Sequence, residues 1–174
     1  MPTMLARKVS KAKWESFIGV DDSAITADAV TCDLRTTNND LSVWHIEEFT
    51  DAELHEAVLA IVSCQERLDS FDLAALDEEE IVARGLKVEK TEGGARTPVD
   101  DLHERHHDIR CLTYDDLRPL AEAVISSFRR NQVKRITAGK ILDIVVEAIR
   151  AGRLELCNLR KEIREGATKR LERT

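Results

Sequence analysis

The sequence predicts an α+β fold, with an N-terminal β-hairpin/helix/strand unit followed by a C-terminal bundle of about four helices. Two patterns carry that expectation. Before residue 50, short runs alternate apolar and polar side chains; from Thr97 onward, apolar residues recur at helical spacing. The 174 residues are 43% hydrophobic and 34% charged but only 4% aromatic, which suits a core built from Leu, Ile, Val and Ala.

Val30, Cys32 and Leu34 share one side of an extended run over 28–35, and Leu41, Val43 and His45 share one side of a second run over 41–46. The polar stretch between them contains Asn38, Asn39 and Asp40, so the two runs read as a β-hairpin. Thr50 is placed to cap a helix over 51–68, with Asp51 and Glu53 at its positive end. A short strand over 71–76 follows, then Asp77, Glu78, Glu79 and Glu80 as an acidic loop or helical turn. Residues 86–89 form an edge strand, closed by a stretch containing Gly93 and Gly94.

The second half reads as helical. Thr97 and Pro98 start a helix whose apolar face is Val99, Leu102, His106 and Ile109. Thr113 caps another, striped by Leu117, Leu120, Val124 and Phe128. Thr137 opens a third, dense in Ile and Val, which Gly152 ends; the fourth covers 155–171 with a narrow stripe. The chain thus divides into an acidic α+β portion, 1–96, and a basic helical portion, 97–174, packed as one compact unit.

The charges are segregated too, about a boundary at residue 116. Residues 1–116 hold 12 basic and 26 acidic side chains, whereas 117–174 hold 14 and 7, so the net −7 conceals a −14 half and a +7 half. A nucleic-acid coat over the whole surface is excluded, but a local basic face is not. The halves can attract one another, or the acidic half can meet a basic partner. Cys32, Cys64, Cys111 and Cys157 form no C-x-x-C pair, and no apolar run is long enough to span a bilayer. The basic N-terminus leads into no continuous hydrophobic stretch. The expectation is a cytoplasmic chain with reduced cysteines and no membrane association.

Three segments could carry chemistry. His103, Glu104 and His107 satisfy H-E-x-x-H, in which imidazoles one helical turn apart bind zinc and the glutamate acts as general base. Cys111 lies one further turn along as a third ligand. Over these five residues the chain resembles the zincin metallopeptidase signature, which implies a zinc-dependent hydrolase. The inner positions are Arg105 and His106, the apolar face leaves His103 and His107 toward the polar side, and no histidine follows His107.

Arg129, Arg130, Lys134, Arg135 and Lys140 form a basic segment that could contact nucleic-acid phosphates, although the helix after it is too apolar to be a free recognition helix. The acidic run Asp77, Glu78, Glu79 and Glu80 is the third, a site for a basic partner.

No phosphate-binding glycine loop or nucleophile elbow is present. The sequence therefore favours a non-enzymatic protein-interaction module: an accessory, adaptor or inhibitory, immunity-like subunit needing no cofactor. It would bind another protein, or itself as a homo-oligomer, by charge complementarity. The zinc hydrolase and the nucleic-acid-binding protein are the alternatives.

Overall fold

A computed structural model of the chain describes residues 3–21, 24–91 and 97–173. The chain is mixed α/β and centres on a six-stranded antiparallel sheet in the order β4-β5-β2-β1-β3-β6. In chain order the elements are β1 (Met4–Val9), α1 (Lys11–Trp14), α2 (Ala27–Asp33), β2 (Leu41–Ile46), α3 (Asp51–Val62), β3 (Phe71–Asp77), α4 (Glu78–Ala83), β4 (Lys87–Lys90), β5 (His106–Arg110), α5 (Leu117–Arg129), β6 (Val133–Ile136), α6 (Ala138–Arg150) and α7 (Lys161–Leu171). No helix among the described residues is long and apolar enough to cross a membrane.

Strand alternation divides the core between the two faces of the sheet. Ala6, Trp44, Ile46, Leu73, Ala75 and Ile136 pack with Leu54 and Val58 of α3, Ile141 and Val145 of α6, and Ile163 and Ala167 of α7. Leu5, Val9, Leu41, Val43, Ala74, Leu76 and Ile109 pack with Trp14, Ala29, Ile81 and the α5 residues Leu120, Val124 and Ile125. β3 is buried from Phe71 to Leu76 because it is covered on both faces, so its sequence is nearly unbroken in apolarity. The edge strands β4 and β6 read Lys-Val-Glu-Lys and Val-Lys-Arg-Ile, and their charges discourage further strand addition.

Several expectations are corrected. The expected N-terminal hairpin is absent: its first arm is α2, whose Ala29 and Asp33, one turn apart, face inward. Five residues of alternation were too few to separate the two periods. The Asn-rich turn is real, with Asn38 at φ 54° and Asn39 at φ 64°, but it closes only a Thr37–Asp40 bridge. Strand β2 pairs instead with β5 and with β1, a strand the sequence reading missed.

The helix expected after Pro98 is also absent. Asp100–Arg105 is a 3-10 segment that runs directly into β5, between β2 and β4. Asp108 makes a buried strand position tolerable by accepting from the Ser42 hydroxyl at 3.0 Å and the Thr91 hydroxyl at 2.7 Å. Nor is there a C-terminal four-helix bundle. α5 covers one face of the sheet while α6 and α7 cover the other, and β5 and β6 interrupt the run.

Helices α3 and α7 are shorter than expected, ending at Val62 and starting at Lys161. The caps of α3 and α6 are as expected: Thr50 accepts from Glu53 N–H and Thr137 from Lys140 N–H. Gly152 follows α6 at φ 72°, where a side chain would be strained.

Candidate functional site

The H-E-x-x-H residues lie where a 3-10 turn becomes a strand, so the helical turn that would align His103 with His107 is missing. His103 Nε2–H donates to the Thr97 carbonyl at 2.8 Å, and His107 Nδ1–H to the Arg105 carbonyl at 3.2 Å. Glu104 is exposed and ion-paired with Lys90, which holds its carboxyl below the usual glutamate range. Cys111 is exposed, at φ 57°. Among the described residues no three His, Cys, Asp or Glu side chains form a group able to hold a metal ion. His106 is 2% exposed and lies against Trp44, with ring centroids 4.8 Å apart.

The acidic and basic segments meet each other. Arg130 bridges Asp77 at 3.1 Å and Glu80 at 2.9 Å, and Arg84 links Glu80 to Glu122. Asp77 also caps α4 by accepting from Glu80 N–H. Lys134 pairs with Asp51 and Arg135 with Asp72, while Arg129 donates to the Val20 carbonyl. Lys140 lies in the first turn of α6. Glu78 and Glu79 line a shallow depression with Thr3, Val82 and Ala83. Much of the charge asymmetry of the sequence is therefore spent within the fold.

Two concave features were not anticipated. The first is a cleft of about 480 Å³ where β1 and β2 part. Their ladder ends at Ala6 opposite Trp44, so Arg7 to Val9 pair with β3 alone. Arg7 fills part of the gap, donating to the Asp33 carbonyl at 2.8 Å and the Ser42 carbonyl at 2.8 Å. Burial lowers the Arg7 pKa, and the neighbouring Asp33 works in the opposite direction.

Lys8, Trp44, His106, Cys32, Cys64 and Ile61 also line this cleft. In the sequence, Arg7 and Lys8 read only as part of a basic N-terminus. What marks them is their place between apolar Leu5, Ala6 and Val9.

The second feature is a groove of about 540 Å³ between α2 and α5. Ile25, Ala27, Val30, Leu117 and Ala121 supply its apolar lining, and Tyr114, 88% exposed, stands at its side. Asp115 lines it as well, and Asp28 is exposed on the first turn of α2. Among the described lining residues the cation is Arg118, bridged to Glu122 at 3.0 Å. The lone tyrosine of the chain, placed just before a helix, was the available sequence signal.

No protein-family model matches this chain, and no curated protein or solved structure matches it significantly.

Proposed function

We propose that this protein is a non-enzymatic interaction module that docks a basic amphipathic segment of another protein. The observation carrying this reading is the α2–α5 groove, which joins an apolar floor to an exposed tyrosine and the carboxylate of Asp115. An aromatic ring that is already exposed offers large contact area with few rotatable bonds to immobilise. Asp115 in the lining and Asp28, exposed on the neighbouring first turn of α2, favour a basic segment, and Arg118 is ion-paired with Glu122. Glu78 and Glu79 line a separate depression, while Asp77 and Glu80 act as internal partners of Arg130. A cytoplasmic setting accords with four cysteines that lie outside any disulfide.

Amide shift mapping tests the proposal with two helical probes, a Leu/Lys peptide and its Leu/Glu counterpart. The Leu/Lys peptide is expected to shift residues 25–31 and 114–121 saturably, more weakly at high salt and in Tyr114→Ala. Absence of saturable shifts, or equal binding of the Leu/Glu peptide, overturns it. Sedimentation of the free protein reads out the homo-oligomer, in which a second copy would occupy the same groove.

A further inference from the structure

We infer that the cleft where β1 and β2 part is a binding site for a small organic carboxylate, its acid group directed to Lys8. The site is separate from the α2–α5 groove and does not depend on the docking proposal. A volume near 480 Å³ falls within the range of small-molecule pockets, about 300–1,000 Å³.

The Trp44 and His106 rings pack 4.8 Å apart at 55° and, like Ala6 and Ala60, are largely buried, so the apolar surface a ligand can reach is the partly exposed Ile61 and the rim of Trp44. The charges are asymmetric in their commitments. Both Asp108 oxygens accept hydroxyl donors from Ser42 and Thr91. The Asp33 carboxylate accepts from Ser10 N–H at 2.7 Å and Trp14 Nε1–H at 2.6 Å.

The cations are less fully matched. Arg7 donates to main-chain carbonyls of Asp33 and Ser42 rather than to a carboxylate. Lys8 lies over the Phe71 ring, its Nζ 5.0 Å from the centroid, and no carboxylate among the described residues forms an ion pair with it. Burial lowers the Lys8 pKa, with Asp69 and Asp33 in partial opposition. Lys8 is exposed at the mouth of the cleft, and a ligand carboxylate would give it a direct ion pair in addition to the more distant field of Asp69 and Asp33.

The cysteines make the site directly readable. All four are exposed and outside any disulfide, and of them Cys32 and Cys64 line the cleft, leaving Cys111 and Cys157 as internal controls. Maleimide alkylation of the intact protein, followed site by site by mass spectrometry, would be run with benzoate, 2-naphthoate and their neutral amides. Either acid is expected to slow Cys32 and Cys64 saturably while Cys111 and Cys157 stay unchanged; at about ten times Kd, mass action gives about tenfold protection.

Lys8→Gln should weaken protection by each acid about tenfold or more, the scale of one lost charge-assisted hydrogen bond. No saturable slowing, equal slowing at all four thiols, equal protection by the amides, or undiminished protection in Lys8→Gln each overturns the inference. The amide comparison uses the wild-type chain, so it decides the matter even if the variant fails to fold.

Discussion

The indole Nε1–H of Trp14 donates to the carboxylate of Asp33 at 2.6 Å, and this buried bond ties the short α1 to the end of α2. The same oxygen accepts from Ser10 N–H, so one carboxylate satisfies two donors from the segment after β1. Asp33→Ala strands both and should lower unfolding free energy by about 2–4 kcal/mol, whereas Asp33→Asn, which keeps an acceptor, should lose less. Urea unfolding measures both. Equal losses would show that the acceptor is not what matters.

Glu53 gives the acid limb of stability a specific contributor. Burial alone would raise its pKa, but the Glu47 N–H and Arg105, 2.7 Å from its carboxylate, outweigh burial and hold it below the ordinary 4.5. A depressed folded-state pKa means the stabilisation is present above the unfolded value and is lost as pH falls through the folded one. Between pH 4.5 and that lower value, Glu53→Gln should flatten the fall in stability. Unfolding midpoints measured from pH 7 to pH 3 check the slope.

Arg153 joins α3 to the Asp100–Arg105 segment, with Nη2 2.5 Å from Glu56 and 2.7 Å from Asp101. These partners raise its already high pKa, so it stays charged at any working pH. Because the network is partly exposed, Arg153→Met should cost only about 1 kcal/mol, with the difference from wild type shrinking in high salt. Thermal melts at two salt concentrations read this out.

Asn38 and Asn39 both occupy left-handed backbone, the requirement of a tight primed turn. Asn39→Gly should be neutral or stabilising, and Asn38→Val should destabilise by about 1–2 kcal/mol because a β-branched residue is strained there. Chemical denaturation distinguishes the two directions.

Zinc titration into chelator-treated protein checks the metallohydrolase alternative. With His103 and His107 each donating to a main-chain carbonyl, no stoichiometric uptake and no rise in Tm are expected. Stoichiometric zinc that disappears in His103→Ala would reinstate that alternative.

Legibility in the sequence followed the length and purity of each pattern. Thr50 and Thr137 with their apolar stripes announced α3 and α6, and the edge strand expected over 86–89 is β4, one residue further along. Residues 106–110 escaped notice because His-His-Asp-Ile-Arg hides its strand character. Two of its buried positions are polar and depend on Trp44, Ser42 and Thr91, none of them neighbours in sequence. H-E-x-x-H assumed the helix that would give its spacing meaning. The cleft and the groove were invisible for a related reason: each is lined by segments that meet only when the sheet is assembled.

That interleaved strand order bears on how a growing chain reaches this fold. β1, β2 and β3 can pair as soon as they are made, but the outer sides of β2 and β3 are covered only by β5 and β6, which come from the second half of the chain. Until residues 106–136 emerge, the apolar strand Phe71–Asp77 presents an open hydrogen-bonding edge, the kind of surface on which nascent chains aggregate. Pausing or truncation between β4 and β5 would therefore leave a sticky three-stranded core, and co-expression of the two halves would succeed only if the second reached the first before another copy did.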